Sequence, residues 1–512
     1  MIDFECSILK NSNFDNGIET PGFRNYTNKK NLLKEDIVKV GCLLLYGLLP
    51  MNTILELDYK KYKDILRFLN NFSYIPKDLL RLIEGIFNYD FFSIESVLIS
   101  FDKINFNNSN KEFSENVFNL DKNDIRNKIS ESINNIIDSI LIENKTIFLP
   151  SDPHIYDTNK LSVAHGFSGI LYNLYILEKY TDKSTDLNNL YYEMISLLEK
   201  PNEYSSSLFM GNSGIAWVLE TLGYHEISHI YIDYANKNLP KLNDLFYGKA
   251  GVGLSNLYFY KKTKEKKYLN EAKKIASSIL KSAHQKNGKY YWKDCHDDVY
   301  NGYGRGSSGI SLLYLYLFLE TEDKKYLEIG EKALGFDIDN LTTDDTGKIG
   351  LNREPISSNK IVLSPYLYDG IAGVGSVLIR YFKVTKNNKY LHLVNKITNS
   401  LNIHFTMFPG YMRGLSGIVN FHLDVYSFTR NKLNLDIARR LASNFYLYED
   451  RVKKGLYAGE QLIRLSNDYF TGSIGVTSTL ARLYEINTHN DCNQNFFLDQ
   501  YYMNLGSEVY EK

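Results

Sequence analysis

Six polar side chains stand beside glycines that recur along this 512-residue sequence, and all are of types that move protons or hold charge. His165 directly precedes Gly166, and Tyr247 precedes Gly248. Tyr303 and Arg305 flank Gly304, and Tyr368-Asp369 runs into Gly370. An imidazole titrates near neutrality. Carboxylates and phenols exchange protons with a reacting group, and a guanidinium holds a developing negative oxygen. The alternative for each is a packed or surface residue without chemistry. The six form a site only if the elements that carry them converge.

The glycines belong to a five-residue pattern, Gly-x-x-Gly-[Ile/Val]. It occurs seven times, at 166–170, 211–215, 248–252, 306–310, 370–374, 414–418 and 472–476. One match would mean little, but seven in succession mark a repeat architecture. An apolar run follows each copy at once, as in Ile170-Leu171-Tyr172 or Ile310-Ser311-Leu312-Leu313. Such runs, apolar nearly all round, read as buried helices. A polar break and an amphipathic helix come next. Three of those second helices carry Lys-Tyr-Leu, with Tyr268, Tyr326 and Tyr390 each 17 residues after the second glycine. Leu435 keeps the leucine position in the repeat that starts at Gly414.

Such hairpins cannot bury their apolar faces alone. An open stack needs polar caps, whereas a closed ring needs none. The expected fold class is therefore all-α, an α/α toroid of seven inner and seven outer helices. The glycines would lie at the N-terminal ends of the inner helices, where a missing Cβ allows tight turns and close backbone approach. Free helix N–H groups would gather there around one mouth. Most of the glycines would only pack turns, leaving function to the residues beside them.

Composition excludes several classes. Lysine and arginine number 59 against 60 acidic residues, so neither nucleic acid nor an anionic membrane is expected as a partner. Cys6, Cys42, Cys295 and Cys492 are scattered, which fits a reducing cytoplasm. The start, Met-Ile-Asp-Phe-Glu, lacks the basic opening of a signal peptide. The apolar runs Val40 to Leu49 and Leu312 to Leu319 are too short to insert across a bilayer. A glycan-processing α/α barrel is disfavoured by two tryptophans and by the lack of paired carboxylates beside the repeats.

With these motifs, residues from about 120 onward resemble the lanthionine synthetase C-like cyclases. Two stretches sharpen the likeness. One is Ile147-Phe148-Leu149-Pro150-Ser151-Asp152-Pro153, leading to Ala164-His165-Gly166-Phe167-Ser168-Gly169. The other is Gly459-Glu460-Gln461-Leu462-Ile463-Arg464-Leu465-Ser466-Asn467-Asp468, leading to Gly472-Ser473-Ile474-Gly475. Both are similar to segments of fused kinase–cyclase lanthipeptide synthetases, classes III and IV. The resemblance implies addition of precursor-peptide Cys thiols to dehydrated Ser and Thr. The product would be a lanthionine or carbon-bridged labionin ring, and the partner a precursor peptide with its leader. Many relatives activate the thiol with zinc held by three ligands. The matching positions here are Gly304, Tyr368 and Asp369, so the resemblance implies a zinc-free cyclase of class III, with no cofactor of its own. The only Cys-His pair, Cys295-His296, lies about ten residues too early for that ligand set. By the same resemblance Tyr247 sits where many relatives carry a catalytic His. Tyr247 and Asp369 would lie near the reacting atoms, with Arg305 at the enolate oxygen and His165, Tyr303 and Tyr368 as further candidates.

The N-terminal stretch resembles a protein-kinase C-lobe. Asp3-Phe4-Glu5 looks like an Asp-Phe-Gly element, Thr20-Pro21-Gly22-Phe23 like the end of an activation segment, and Asp36 with Gly41 and Leu43-Leu44-Leu45-Tyr46 like the anchoring helix. The expected domains are a truncated kinase-like lobe at 1–105, a linker at 106–125 and the cyclase at 126–512. No Gly-rich phosphate loop, strand lysine or His-Arg-Asp loop precedes Asp3, so ATP and Mg would serve only if a separate chain with kinase N-lobe and lyase completes the machinery. The competing reading is a non-catalytic subunit that holds precursor peptide or completes a partner kinase.

Overall fold

The computed structural model describes residues 20–23, 32–72, 74–106, 121–143, 146–198, 200–201, 203–489 and 496–503. Asp3, Phe4 and Glu5 lie outside them, as do Cys6 and Cys492. Four helices come first: α1 (Leu32–Leu48), α2 (Tyr62–Leu69), α3 (Lys77–Phe87) and α4 (Ile94–Asp102). Val38, Cys42, Leu45, Ile83 and Ile86 bury one face between α1 and α3, while Leu43 and Tyr46 of α1 remain exposed. Then follow α5 (Lys122–Ser139), the hairpin β1 (Leu141–Glu143) with β2 (Thr146–Phe148), and the short α6 (His154–Asp157).

The repeats come next. They form α7 (Phe167–Leu177), α8 (Ser184–Ser196), α9 (Asn212–Thr221), α10 (His225–Lys237), α11 (Lys249–Thr263) and α12 (Lys266–Lys281). Past the hairpin β3 (His284–Lys286) and β4 (Lys289–Tyr291) come α13 (Ser307–Thr321) and α14 (Lys324–Asp339). Past β5 (Thr342–Thr343) and β6 (Ile349–Gly350) come α15 (Ile371–Thr385), α16 (Asn388–Ser400), α17 (Leu415–Thr429), α18 (Lys432–Ala442), α19 (Ser473–His489) and a last turn, α20 (Asp499–Tyr502).

The odd-numbered helices α7 to α19 form the inner ring. Each touches the next, and α19 returns to α7, so the ring closes. In α13 every residue from Ser307 to Leu317 is buried, as a helix enclosed on all sides requires. The outer helices bury one stripe each: in α12 it is Tyr268, Ala272, Ile275, Ala276 and Ile279, at helical spacing. Six outer helices follow their inner partners. The seventh, α5, precedes all the repeats and packs on α19.

Four of the six inner-to-outer turns are alike. Lys264, Glu322, Lys386 and Arg430 end their helices in the left-handed region, with φ of 62°, 60°, 56° and 58°. In each case a preceding threonine hydroxyl (Thr263, Thr321, Thr385, Thr429) accepts from the N–H two residues on. Asp323, Asn387 and Asn431 then cap the outer helix.

At the other end the inner helices start two residues before the second motif glycine, or closer, with the first glycine as N-cap in α7, α9, α11, α13, α15 and α17. Their leading N–H groups are not free, contrary to expectation. Phe167, Asn212, Lys249, Ile371, Leu415 and Ser473 each donate to a carbonyl seven residues back, on the approaching loop. In α13, Asp337 of α14 does this work, accepting from Gly302 and Ser308 N–H at 3.0 and 2.7 Å. The first glycine of the motif is extended where it caps a helix, the second is helical, and no motif glycine lies in the left-handed region, so their role is space rather than conformational freedom. A Cβ on Gly373 would lie 2.0 Å from the Leu367 carbonyl oxygen and 2.5 Å from Tyr303 Cβ.

The residue two places before each first glycine completes the frame. The N–H of Ala164 donates to the Phe209 carbonyl, Phe246 to Gly304, Gly304 to Tyr368, Tyr368 to Met412, Met412 to Phe470, and Phe470 back to Ala164, at 2.7–3.2 Å. Phe209 and Phe246 meet instead through their rings, 5.3 Å apart. The Phe470 ring lies 5.2 and 5.1 Å from those of Phe209 and Phe246, so three aromatics from across the ring close its axis. Gly373→Ala is expected to lower stability by about 3 kcal/mol or more, because backbone has to move. Gly47→Ala, on α1 with nothing within 4 Å of a new Cβ, should be neutral or stabilising by up to about 1 kcal/mol. Chemical denaturation of the two variants checks the contrast.

Candidate active site

The residue directly before each first glycine stands above the aromatic floor. In order these are His165, Met210, Tyr247, Arg305, Asp369, Arg413 and Thr471. The ring thus brings His165, Tyr247, Arg305 and Asp369 to one face, together with Tyr368 of the floor. It does not bring Tyr303 there. That residue lies three places before Gly306, packs its Cβ against Gly373 and is buried in the ring, near Tyr411 and Arg380.

Tyr247 is 36% exposed and lies against Phe246, with ring centroids 4.6 Å apart. Burial raises its phenol pKa, although a hydrogen bond with Tyr368 and the nearby Arg305 and Arg413 oppose the rise. Tyr368 is buried and pushed far up, first by desolvation and then by Tyr247 and Asp244. Both therefore stay neutral phenols, able to donate a proton rather than to accept one. Arg305 donates to Asp294 at 3.0 Å and stacks 3.5 Å over the Tyr300 ring.

Asp369 is not a free base. Its Oδ2 accepts from Arg413 Nε at 2.9 Å and pairs with Nη2 at 2.9 Å, and its Oδ1 accepts from Ser364 at 2.5 Å. Arg413 in turn covers the Tyr368 ring at 4.9 Å and reaches Glu460 at 3.6 Å. Neither Arg413 nor Glu460 was singled out from sequence. Arg413 precedes Gly414 as His165 precedes Gly166, so the same rule would have found it. Glu460 lies outside the repeats, and only the fold places it.

His165 sits where the chain closes on itself. Its Nδ1 is 3.5 Å from Asp468 Oδ1, an ion-pair distance too long for a hydrogen bond. Burial alone would depress its pKa, but Asp468, Asp152 and Glu460 outweigh that and raise it. Asp468 also accepts from the N–H groups of Phe470 (2.9 Å), Thr471 (2.8 Å) and Asp152 (3.2 Å). Asn467 N–H donates to the Pro150 carbonyl at 2.8 Å. The segment before the first repeat and the segment before the last are thus one seam. Near Tyr247, Asp244 is buried and accepts the Tyr247 N–H at 2.6 Å, and desolvation lifts its pKa to about 7.

The residues present do not fit a three-ligand metal site. Gly304 offers no donor, and a Cβ there would meet the Tyr368 ring at 2.4 Å. Asp369 already neutralises a guanidinium. Cys295 is exposed on a surface turn, and among the described residues no group of three His, Cys, Asp or Glu is disposed to hold a metal ion. No described helix is long and apolar enough to cross a membrane.

A model of the lanthionine synthetase C-like protein family matches residues 113–202, 188–357 and 361–504. The chain is 26% identical over 334 residues to a probable SapB synthase of Streptomyces coelicolor, an alignment that takes in 63% of this chain and 34% of that protein. It therefore spans about a third of the length of the curated relative it matches. Among solved structures, a nisin cyclase is similar with a TM-score of 0.51 at 14% identity, over 65% of this chain and 90% of that one, a likeness of fold. With the seven-fold glycine frame and the closed double ring, these matches establish that the chain belongs to the lanthionine synthetase C-like family.

Proposed function

We propose that the chain is the cyclising part of a class III lanthipeptide synthetase and closes thioether rings without zinc. The observation that carries this reading is the mouth itself. There the Tyr368 ring fills the space that a ligand side chain at position 304 would need, and a belt of acid–base groups stands beside it. Membership of the lanthionine synthetase C-like family supports a peptide substrate bearing dehydrated Ser or Thr. A free thiol is only a few per cent ionised at neutral pH, so a base must take its proton and an acid must protonate the enolate that addition forms. Tyr247 and Tyr368 supply neutral O–H donors. Arg305 and Arg413, each paired with a carboxylate, supply guanidinium N–H donors for the enolate oxygen, and Asp369 orients Arg413.

We assign residues 1–105 to a kinase-like lobe, 106–125 to a linker and 126–512 to the cyclase. The N-terminal helices dock on the ring: Lys61 Nζ donates to the Tyr446 carbonyl at 2.8 Å, Arg67 covers the Tyr446 ring at 4.3 Å, and Phe68 meets Phe405 at 5.8 Å. This fits a fused arrangement.

The direct test is incubation of the chain with a dehydrated Cys-containing peptide, followed by alkylation of the remaining thiols and mass analysis. Thiols should disappear at least about a hundredfold faster than in buffer. Tight peptide binding with no such acceleration would favour a non-catalytic holding subunit. A second expectation concerns pH. Asp244 binds its proton more tightly folded than unfolded, so its contribution to stability falls as pH rises from about 4 to about 7, by a few kcal/mol at most. Asp244→Asn should flatten the stability profile over that window and gain stability at neutral pH. An unchanged slope in thermal melts across those pH values would count against the buried, raised carboxyl.

A further inference from the structure

Carboxylates at the mouth are nearly all committed. Asp369 is held by Arg413 and Ser364, and Asp468 by three backbone N–H groups and the hydroxyls of Ser466 and Thr471. Asp152 accepts from His154 N–H at 3.0 Å. Asp294 holds Arg305 and the N–H groups of His296 and Asp298. Asp244 is shut in beneath Tyr247. Glu460 differs from all of these. It accepts no hydrogen bond from any described residue, and its contact with Arg413, at 3.6 Å, is longer than one. Its side chain is 22% exposed, open to a ligand yet shielded from bulk water.

The turn that carries it is built for placement. Gly459 N–H donates to the Arg464 carbonyl at 2.9 Å and Leu462 N–H to the Gly459 carbonyl at 3.0 Å. Leu462 has φ +61° and is 1% exposed. A buried leucine in the left-handed region is strained and persists only where its surroundings over-determine it, as they do at many functional sites. Desolvation raises the proton affinity of Glu460. Asp152 adds to the rise, while Arg413, His154 and His165 oppose it.

We propose that Glu460 is a catalytic residue that takes the proton of a peptide cysteine and returns it to carbon. This assignment rests on the cyclase reading above. The Sγ–H bond breaks and its proton passes to Glu460 Oε. The sulfur lone pair forms the S–Cβ bond to a dehydroalanine, and the C=C π pair moves into an enolate beside Arg413. The proton on Glu460 then goes to Cα, which restores the carboxylate. Atoms and charge balance without a co-reactant.

The test uses the full chain and a synthetic peptide with one cysteine and one dehydroalanine. Glu460→Gln should slow thiol loss about a hundredfold, and Glu460→Asp should recover about tenfold of that. Melting temperature should be unchanged, and the Kd for the same peptide with serine in place of dehydroalanine should move by no more than about twofold. Glu460→Gln cycling within about threefold of the parent overturns the assignment. So does a loss of peptide affinity that accounts for the whole rate change, since Glu460 would then be a contact only. A parent chain no faster than buffer would instead overturn the cyclase reading itself, and this assignment with it.

Discussion

Equivalent residues of neighbouring repeats join hands in a circle around the mouth, through Ala164, Phe209, Phe246, Gly304, Tyr368, Met412 and Phe470, main chain to main chain at six joints and ring to ring between Phe209 and Phe246. Much else depends on that circle. For backbones to approach so closely, the inner helices must begin on glycines whose missing Cβ leaves room for a neighbouring carbonyl. The loops then satisfy the helix N–H groups, and the residue just before each glycine is lifted onto one face. A single side chain per repeat is thereby displayed in a fixed ring, free to vary in chemistry while the frame stays constant. The last bond of the circle, Phe470 to Ala164, closes the chain on itself. The Asp468 knot beside it ties the two segments outside the repeats together.

Below the floor the ring is filled by charge as well as by aromatics. Arg380 pairs with Asp424 and with Asp499 of the C-terminal turn, at 2.9 and 2.7 Å, and Arg482 holds the other oxygen of Asp424 at 2.7 Å. Tyr316 donates to Asp499 at 2.6 Å. Ions this deeply buried are costly unless paired and hydrogen-bonded, and each of these is both. The axis is closed from below, so under the proposed function the mouth is the face on which a peptide would be handled. This is consistent with the concentration of acid–base groups there.

The ring was legible in the sequence because its cause is local. Glycine spacing and all-round apolar runs recur with the period of the fold, and a helix apolar on every side must be enclosed. The turn signature built on Thr263, Thr321, Thr385 and Thr429 is equally periodic and reinforces the same reading. What sequence left hidden depends on direction and distance. Tyr303 and Arg305 lie two residues apart, yet one enters the core under Gly373 and the other reaches the mouth. The seventh outer helix comes from ahead of the repeats, which no repeat period announces. Glu460 enters from a loop without register, and its nearness to Arg413 exists only in three dimensions. Asp369 reads as a base by residue type but is bound by Arg413 at 2.9 Å, a commitment invisible before folding.

The central question is whether this mouth works with its own side chains rather than with a metal. Metal content and single-turnover cyclisation rate, measured on the same preparations before and after chelator treatment and again after added zinc, address that directly. A mouth that works with its own side chains should show substoichiometric zinc throughout and a rate that does not change. A rate that falls with chelation and returns in proportion to bound zinc would contradict it.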